Sequence, residues 1–134
     1  MRNKLIALIL VMILANLTFS QNKVSLLDTE KVKDYLTLSE GQYKTINPMI
    51  EQIKWILDED KKIIAKLKER VKSGDEPGFF EKIGVKRGRD NRSGDIEDLI
   101  EAIEEQLNDQ QKSKFKNIEK PELKSLKKED VFGK

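Results

Sequence analysis

Between Tyr43 and Val71 the chain repeats an apolar side chain at alternating steps of three and four. The series is Tyr43, Ile46, Ile50, Ile53, Leu57, then Asp60, then Ile64, Leu67 and Val71. An α-helix places such residues on one line, because its 3.6-residue turn brings every third and fourth side chain to the same face. Met49, Ile56 and Ile63 recur beside that line and widen it. The expectation is a helix of about thirty residues, roughly 50 Å long. A chain of 134 residues cannot surround such a rod. Its seam needs a partner, from the same chain or from a second copy. Asp60 is the one polar fault in the seam. Pro48 lies opposite the seam, removes the hydrogen bond to the Lys44 carbonyl and predicts a kink that curves the rod. The alternative is a helix that starts at Pro48, with 39–47 a separate turn.

Residues 74–94 hold five of the seven glycines. With Pro77, and with Lys82, Lys86, Arg87, Arg89 and Arg92, they predict a basic, mobile connector after a Gly74 cap. A short helical turn around Phe79, Phe80, Ile83 and Val85 is the most order expected there. A second helix is predicted from Ser93 or Asp95, with Ile96, Leu99, Ile100, Ile103 and Leu107 as its stripe. The apolar phase then slips to Phe115 and Ile118, and Pro121 closes the helix. Residues 121–134 read as a flexible tail, and 21–37 as an extension with a short helix. The fold class is therefore all-α: a long kinked helix packed antiparallel with a second helical segment, as a thin curved hairpin that forms a homodimer in coiled-coil manner.

The first twenty residues stand apart. Arg2 and Lys4 precede an unbroken apolar run from Leu5 to Ala15, and Thr18 and Ser20 fit the positions before a cut. This pattern predicts a cleavable signal peptide, 1–20, with cleavage after Ser20; an uncleaved anchor is the alternative. The expected location is periplasmic, with no stable membrane insertion afterwards. Removing Arg2 and Lys4 takes away the formal net charge of +2, so no net-charge argument for nucleic acid remains. Charge is nonetheless segregated. Residues 93–111 carry seven acids and no base, whereas 60–92 carry eleven bases and six acids. Helices that pair by charge would explain this, as would solvated faces.

Two pentads share a design. Leu38-Ser39-Glu40-Gly41-Gln42 and Leu107-Asn108-Asp109-Gln110-Gln111 each place a small polar capper three residues before a Gln. In such a capping box the Ser39 or Asn108 side chain accepts from the Gln backbone N–H, and the Gln side chain reaches back to the capper's N–H. Glu40 and Asp109 fall where a helix dipole favours acids. Leu38 can staple onto Tyr43. The pentads are thus helix-start signals.

With L-S-E-G-Q-Y-K-T-I early and L-N-D-Q-Q-K-S-K-F late, residues 38–120 resemble the Spy/CpxP family, exported helical proteins with two L-T-x-x-Q motifs. The matching positions are Leu38, Gln42, Leu107 and Gln111; Ser39 and Asn108 stand where that family has Thr. The resemblance implies a dimeric cradle acting as an ATP-independent chaperone for unfolded or misfolded envelope proteins. It also allows an accessory regulator docked on a sensor kinase's periplasmic domain, here through 74–94. A metal-binding branch uses His-rich segments, and this chain has no His.

No constellation in the sequence reads as catalytic, and no cofactor is expected. Without His the commonest general base and transition-metal ligand are missing. Asp58, Glu59 and Asp60 are adjacent and point to different helix faces. Glu97, Glu101, Glu104 and Glu105 share a face that is read as solvated rather than as a hard-cation site. The chain reads as a binding protein, not an enzyme. Trp55 falls off the seam, where it either covers another helix edge or meets clients. The candidate client contacts are Met49, Trp55, Ile56, Phe79 and Phe80, ringed by Lys61, Lys62, Lys66, Arg87 and Arg89.

Overall fold

The computed structural model describes residues 23–132, so the expected leader at 1–20 lies outside the described residues. Five helices form among them: α1 (Thr29–Leu36), α2 (Glu40–Lys72), α3 (Phe79–Glu105), α4 (Asp109–Phe115) and α5 (Lys128–Phe132). None is long and apolar enough to cross a membrane.

α2 is one helix of 33 residues that runs through Pro48, so it does not start there. Its predicted seam is the buried face. Ile46, Ile50, Ile53, Asp60 and Leu67 are buried, and Tyr43, Leu57, Ile64 and Val71 are half-buried. α2 ends in a Schellman motif: the Asp75 N–H donates to the Arg70 carbonyl (3.0 Å) and the Gly74 N–H to the Val71 carbonyl (3.2 Å). Gly74 sits at φ +86°, a left-handed conformation that glycine adopts without steric cost.

α3 returns antiparallel to α2. Residue 81 lies beside 70, residues 89 and 92 beside 60, and residue 106 beside 42. The expectation of a mobile connector over 74–94 is overturned, because α3 begins at Phe79 with Gly78 as its N-cap, not at Ser93 or Asp95. Helix-interior glycine costs about 1 kcal/mol relative to alanine, a penalty that tertiary contacts can override. Here Gly88 leaves room for Arg92: a Cβ at residue 88 would come within 3.2 Å of its guanidinium. That guanidinium reaches back to α2.

The core is lopsided. Leu26, Val32, Leu36, Ile46, Ile50, Ile53, Ile56, Ile96, Ile103, Leu107, Phe115 and Ile118 form one cluster at the end where α1 and α4 pack against the hairpin. Burying each such side chain contributes about 1.5–3 kcal/mol. α1 is fastened to the start of α2 by Tyr43, whose hydroxyl donates to Glu30 (2.8 Å), and by Lys33, which pairs with Glu40 (3.1 Å) over the Tyr43 ring. Lys120 closes α4, its ammonium donating to the Phe115 carbonyl (2.7 Å) and lying on the Phe115 ring. Burial lowers the Lys120 pKa.

The other half of the hairpin is held by charge. Asp60, only 3% exposed, accepts from Arg89 (2.7 Å) and from Arg92 (3.1 and 3.0 Å). The seam's polar fault is thus a fork between the two long helices. The chain after Pro121, expected to be frayed, is fastened there too. Arg89 Nε donates to the Lys124 carbonyl (2.7 Å), Ser93 Oγ to the Leu123 carbonyl (3.1 Å), and α5 buries Val131 against the hairpin.

Removing one partner of a buried ion pair strands the other charges, so Asp60→Ala should destabilise by about 3 kcal/mol, read as a lower urea midpoint. At the tip, Arg70 pairs with Asp75 (2.9 Å) and with Glu81. Hydrogen bonding from Arg70 holds both carboxyls below the usual carboxylate range. Their stabilisation is present above the unfolded value of about 4 and is lost as pH falls through the lower folded values. Carboxyl NMR should find Glu81 titrating below an unfolded peptide's Glu, and Arg70→Gln should erase that difference.

Candidate functional site

The pentads fold as complete capping boxes. Ser39 Oγ accepts from the Gln42 N–H (3.1 Å) while Gln42 Oε1 accepts from the Ser39 N–H (3.0 Å). Asn108 Oδ1 accepts from the Gln111 N–H (2.9 Å) while Gln111 Oε1 accepts from the Asn108 N–H (3.0 Å). Each box supports a helix start by about 1 kcal/mol.

The structure then joins the two boxes. Gln42 Nε2 donates to Gln111 Oε1 (2.8 Å), and Gln111 Nε2 donates to Gln42 Oε1 (3.1 Å). The same two amide nitrogens reach the chain just ahead of the opposite box. Gln42 Nε2 donates to the Gln106 carbonyl (2.9 Å), and Gln111 Nε2 to the carbonyls of Leu36 (3.1 Å) and Thr37 (3.4 Å). Gln106 and Thr37 each stand two residues before their capper, so the pattern is nearly two-fold symmetric. Leu38 and Leu107 are both buried, as are Ile46 and Phe115, seven residues beyond each capper. The repeat is therefore one surface written twice, which meets itself inside one chain. Leu38 and Tyr43 both belong to that packing, Leu38 buried and Tyr43 half-buried against it.

The symmetry has one departure. Thr37 takes φ 53° where Gln106 takes −79°. A β-branched residue in the left-handed region is strained, and here the turn it makes presents the Leu36 and Thr37 carbonyls to Gln111. The Gln111 side chain is buried, and among the described residues no buried side-chain nitrogen or oxygen lacks a partner.

The expected client contacts divide. Trp55 is 62% exposed, Phe79 73% and Phe80 84%, the two Phe rings meeting edge to face at 5.6 Å. Ile83 is exposed beside them, with Lys82, Lys86 and Arg87 on the same turns of α3. Two candidates are withdrawn. Ile56 is buried in the core, because the seam is wider than a strict heptad line. Arg89 is committed to Asp60 and to the Lys124 carbonyl. Met49 is half-buried against the core, so only its edge is offered. Lys61 and Lys66 are exposed, while Lys62 bridges Asp58 (2.9 Å) and Glu59 (3.3 Å). The structure does not gather these groups in one patch, since seventeen residues of helix, roughly 25 Å, separate Trp55 from the end of α2 at Lys72. Among the described residues no three acidic side chains converge as metal ligands.

Comparison with family models, with curated proteins and with solved structures finds no match to this chain.

Truncating Gln111 leaves the Asn108 N–H and the Leu36 carbonyl without their partner and takes one hydrogen bond from each end of the Gln42 amide, which keeps the Gln106 carbonyl and the Ser39 N–H. Gln111→Ala should cost about 2–3 kcal/mol, and Gln42→Ala, at a wetter position, about 1 kcal/mol. A double-mutant cycle on urea unfolding should show coupling of about 1 kcal/mol or more; strictly additive losses would mean that the boxes stand independently.

Proposed function

We propose that the chain is an exported, ATP-independent client-binding protein of the L-T-x-x-Q kind, which shields unfolded envelope proteins. The observation that carries this reading is the Phe79–Phe80 pair, largely exposed at the tip of a slender hairpin and flanked by basic residues. A lone exposed apolar residue needs no explanation, whereas two adjacent phenylalanines with Ile83 beside them form a patch of the sort that marks interaction surfaces. Apolar contact supplies affinity without demanding one sequence, and cationic neighbours speed encounter with acidic segments. Trp55 offers a second, separate contact on α2. The mutually clamped pentads support the reading by matching the motif that suggested it: a small capper and a Gln at each helix start. A dimer that covers part of this surface belongs to the same proposal.

The test is aggregation of a reduced, unfolding client monitored by light scattering. Protein at micromolar concentration should slow aggregation, and Phe79→Ser/Phe80→Ser should lose at least about half of that effect. No suppression at several-fold excess, or full activity in the double variant, would falsify the reading.

A further inference from the structure

The docked tail creates a second feature at the tip, independent of client binding. Between the last turns of α2, the first turns of α3 and α5 lies an open groove of about 370 Å³. Its floor is aliphatic: Leu67, Val85, Leu126 and Val131. Its rim carries Lys82, Lys86, Lys127 and Lys128. Among the described residues no carboxylate lines it. Glu76 is paired with Lys82 (2.9 Å), which holds its carboxyl below the usual range, with Lys128 adding a smaller pull. Asp130 on α5 is turned to the Lys127 N–H (2.9 Å).

An apolar trough under a cationic mouth suits a ligand that is apolar along its length and anionic at one end. A sugar or a nucleotide would find too few fixed hydrogen-bonding groups in an aliphatic floor. A cation would meet the ammonium groups of Lys86, Lys127 and Lys128, besides Lys82 in its pair with Glu76. The volume falls at the small end of the range for ligand sites, roughly 300–1,000 Å³, which fits one hydrocarbon chain better than two. Lysine is a mobile point charge on a flexible stem, suited to a headgroup without fixed geometry. We propose that this groove binds a single-chain anionic amphiphile, a fatty acid, with its chain along Leu67 to Val131 and its carboxylate among the lysines.

The proposal is tested by displacement of a dansyl-labelled undecanoic acid from protein purified after expression of the whole sequence. Laurate below its micellar concentration should compete, whereas dodecylamine and dodecyl maltoside should not. Lys86→Gln/Lys127→Gln/Lys128→Gln should weaken laurate about tenfold or more, as expected for losing a charge-assisted contact. Val85→Trp, which fills the groove from its α3 wall, should abolish binding with the far-UV circular dichroism unchanged. Phe79→Ser/Phe80→Ser should leave laurate affinity intact, so failure of client binding and failure of this site are distinguishable. Equal binding of dodecylamine, insensitivity to Val85→Trp, or binding only to phosphatidylglycerol vesicles would each overturn the proposal. The last outcome would point to a bilayer surface instead. Should Val85→Trp lose its helical signal, the lysine variant and the amine control decide the matter by themselves.

Discussion

The amides of Gln42 and Gln111 face one another and exchange hydrogen bonds, each oxygen already held by the helix start behind it. This reciprocal pair is the constraint on which the geometry of the closed end depends. It ties the first turn of α2 to the first turn of α4, and through Leu36 and Gln106 it reaches the ends of the helices that precede them. The two Gln side chains thus each meet backbone groups at two helix termini, where unpaired groups would otherwise be costly. The apolar core packs directly beneath, with Leu38 and Leu107 under the two boxes and Ile46 and Phe115 one level further in. Polar and apolar parts specify the same register. A slip of either helix would break the amides and unseat the core together, so the two levels are mutually consistent.

Away from that end the hairpin follows a different logic. Past Ile56 and Ile96 the buried aliphatic residues thin out, and Asp60 with its two arginines occupies the seam. Ion pairs of this kind add little net stability when compared with a well-packed apolar substitute, yet they penalise any pairing that leaves a charge alone. Here the pair sets which face of α3 turns toward α2. It also fixes the chain after Pro121, since the guanidinium that meets Asp60 also meets the Lys124 carbonyl. One half of the molecule is held by a packed core and the other by a few directional contacts. The exposed aromatic pair and the lysine-rimmed groove both belong to the second half.

The seam of α2 was legible because thirty residues of periodic pattern outweigh one proline and one aspartate. The capping boxes were legible because every atom they use lies within four residues. What lay beyond was the pairing across the fold. Each box accounts for one oxygen of its Gln and leaves an NH₂ group unspent, and counting those donors would have pointed to a partner 69 residues away. Asp60 read as a fault because its arginines lie 29 and 32 residues on, in a stretch whose glycines suggested a loop. The glycines lower local helix propensity, but Arg89, Arg92 and Ser93 each make a tertiary contact that needs helical spacing, and those contacts override it. Leu123, Leu126 and Val131 are too few to show a period, so their docking left no sequence signal.

The short parallel bridge between Ser25 and Glu119 closes the ring. The Leu26 N–H donates to the Glu119 carbonyl (2.9 Å), and the Glu119 N–H donates to the Val24 carbonyl (2.8 Å). The helical unit from Val24 to Glu119 therefore begins and ends at one spot on its surface. Pulling on its two ends loads this pair of hydrogen bonds before it loads any helix. A unit with such adjoining ends can also be spliced into a surface loop of a host protein without stretching the host, or re-cut at the α2–α3 turn and rejoined end to end.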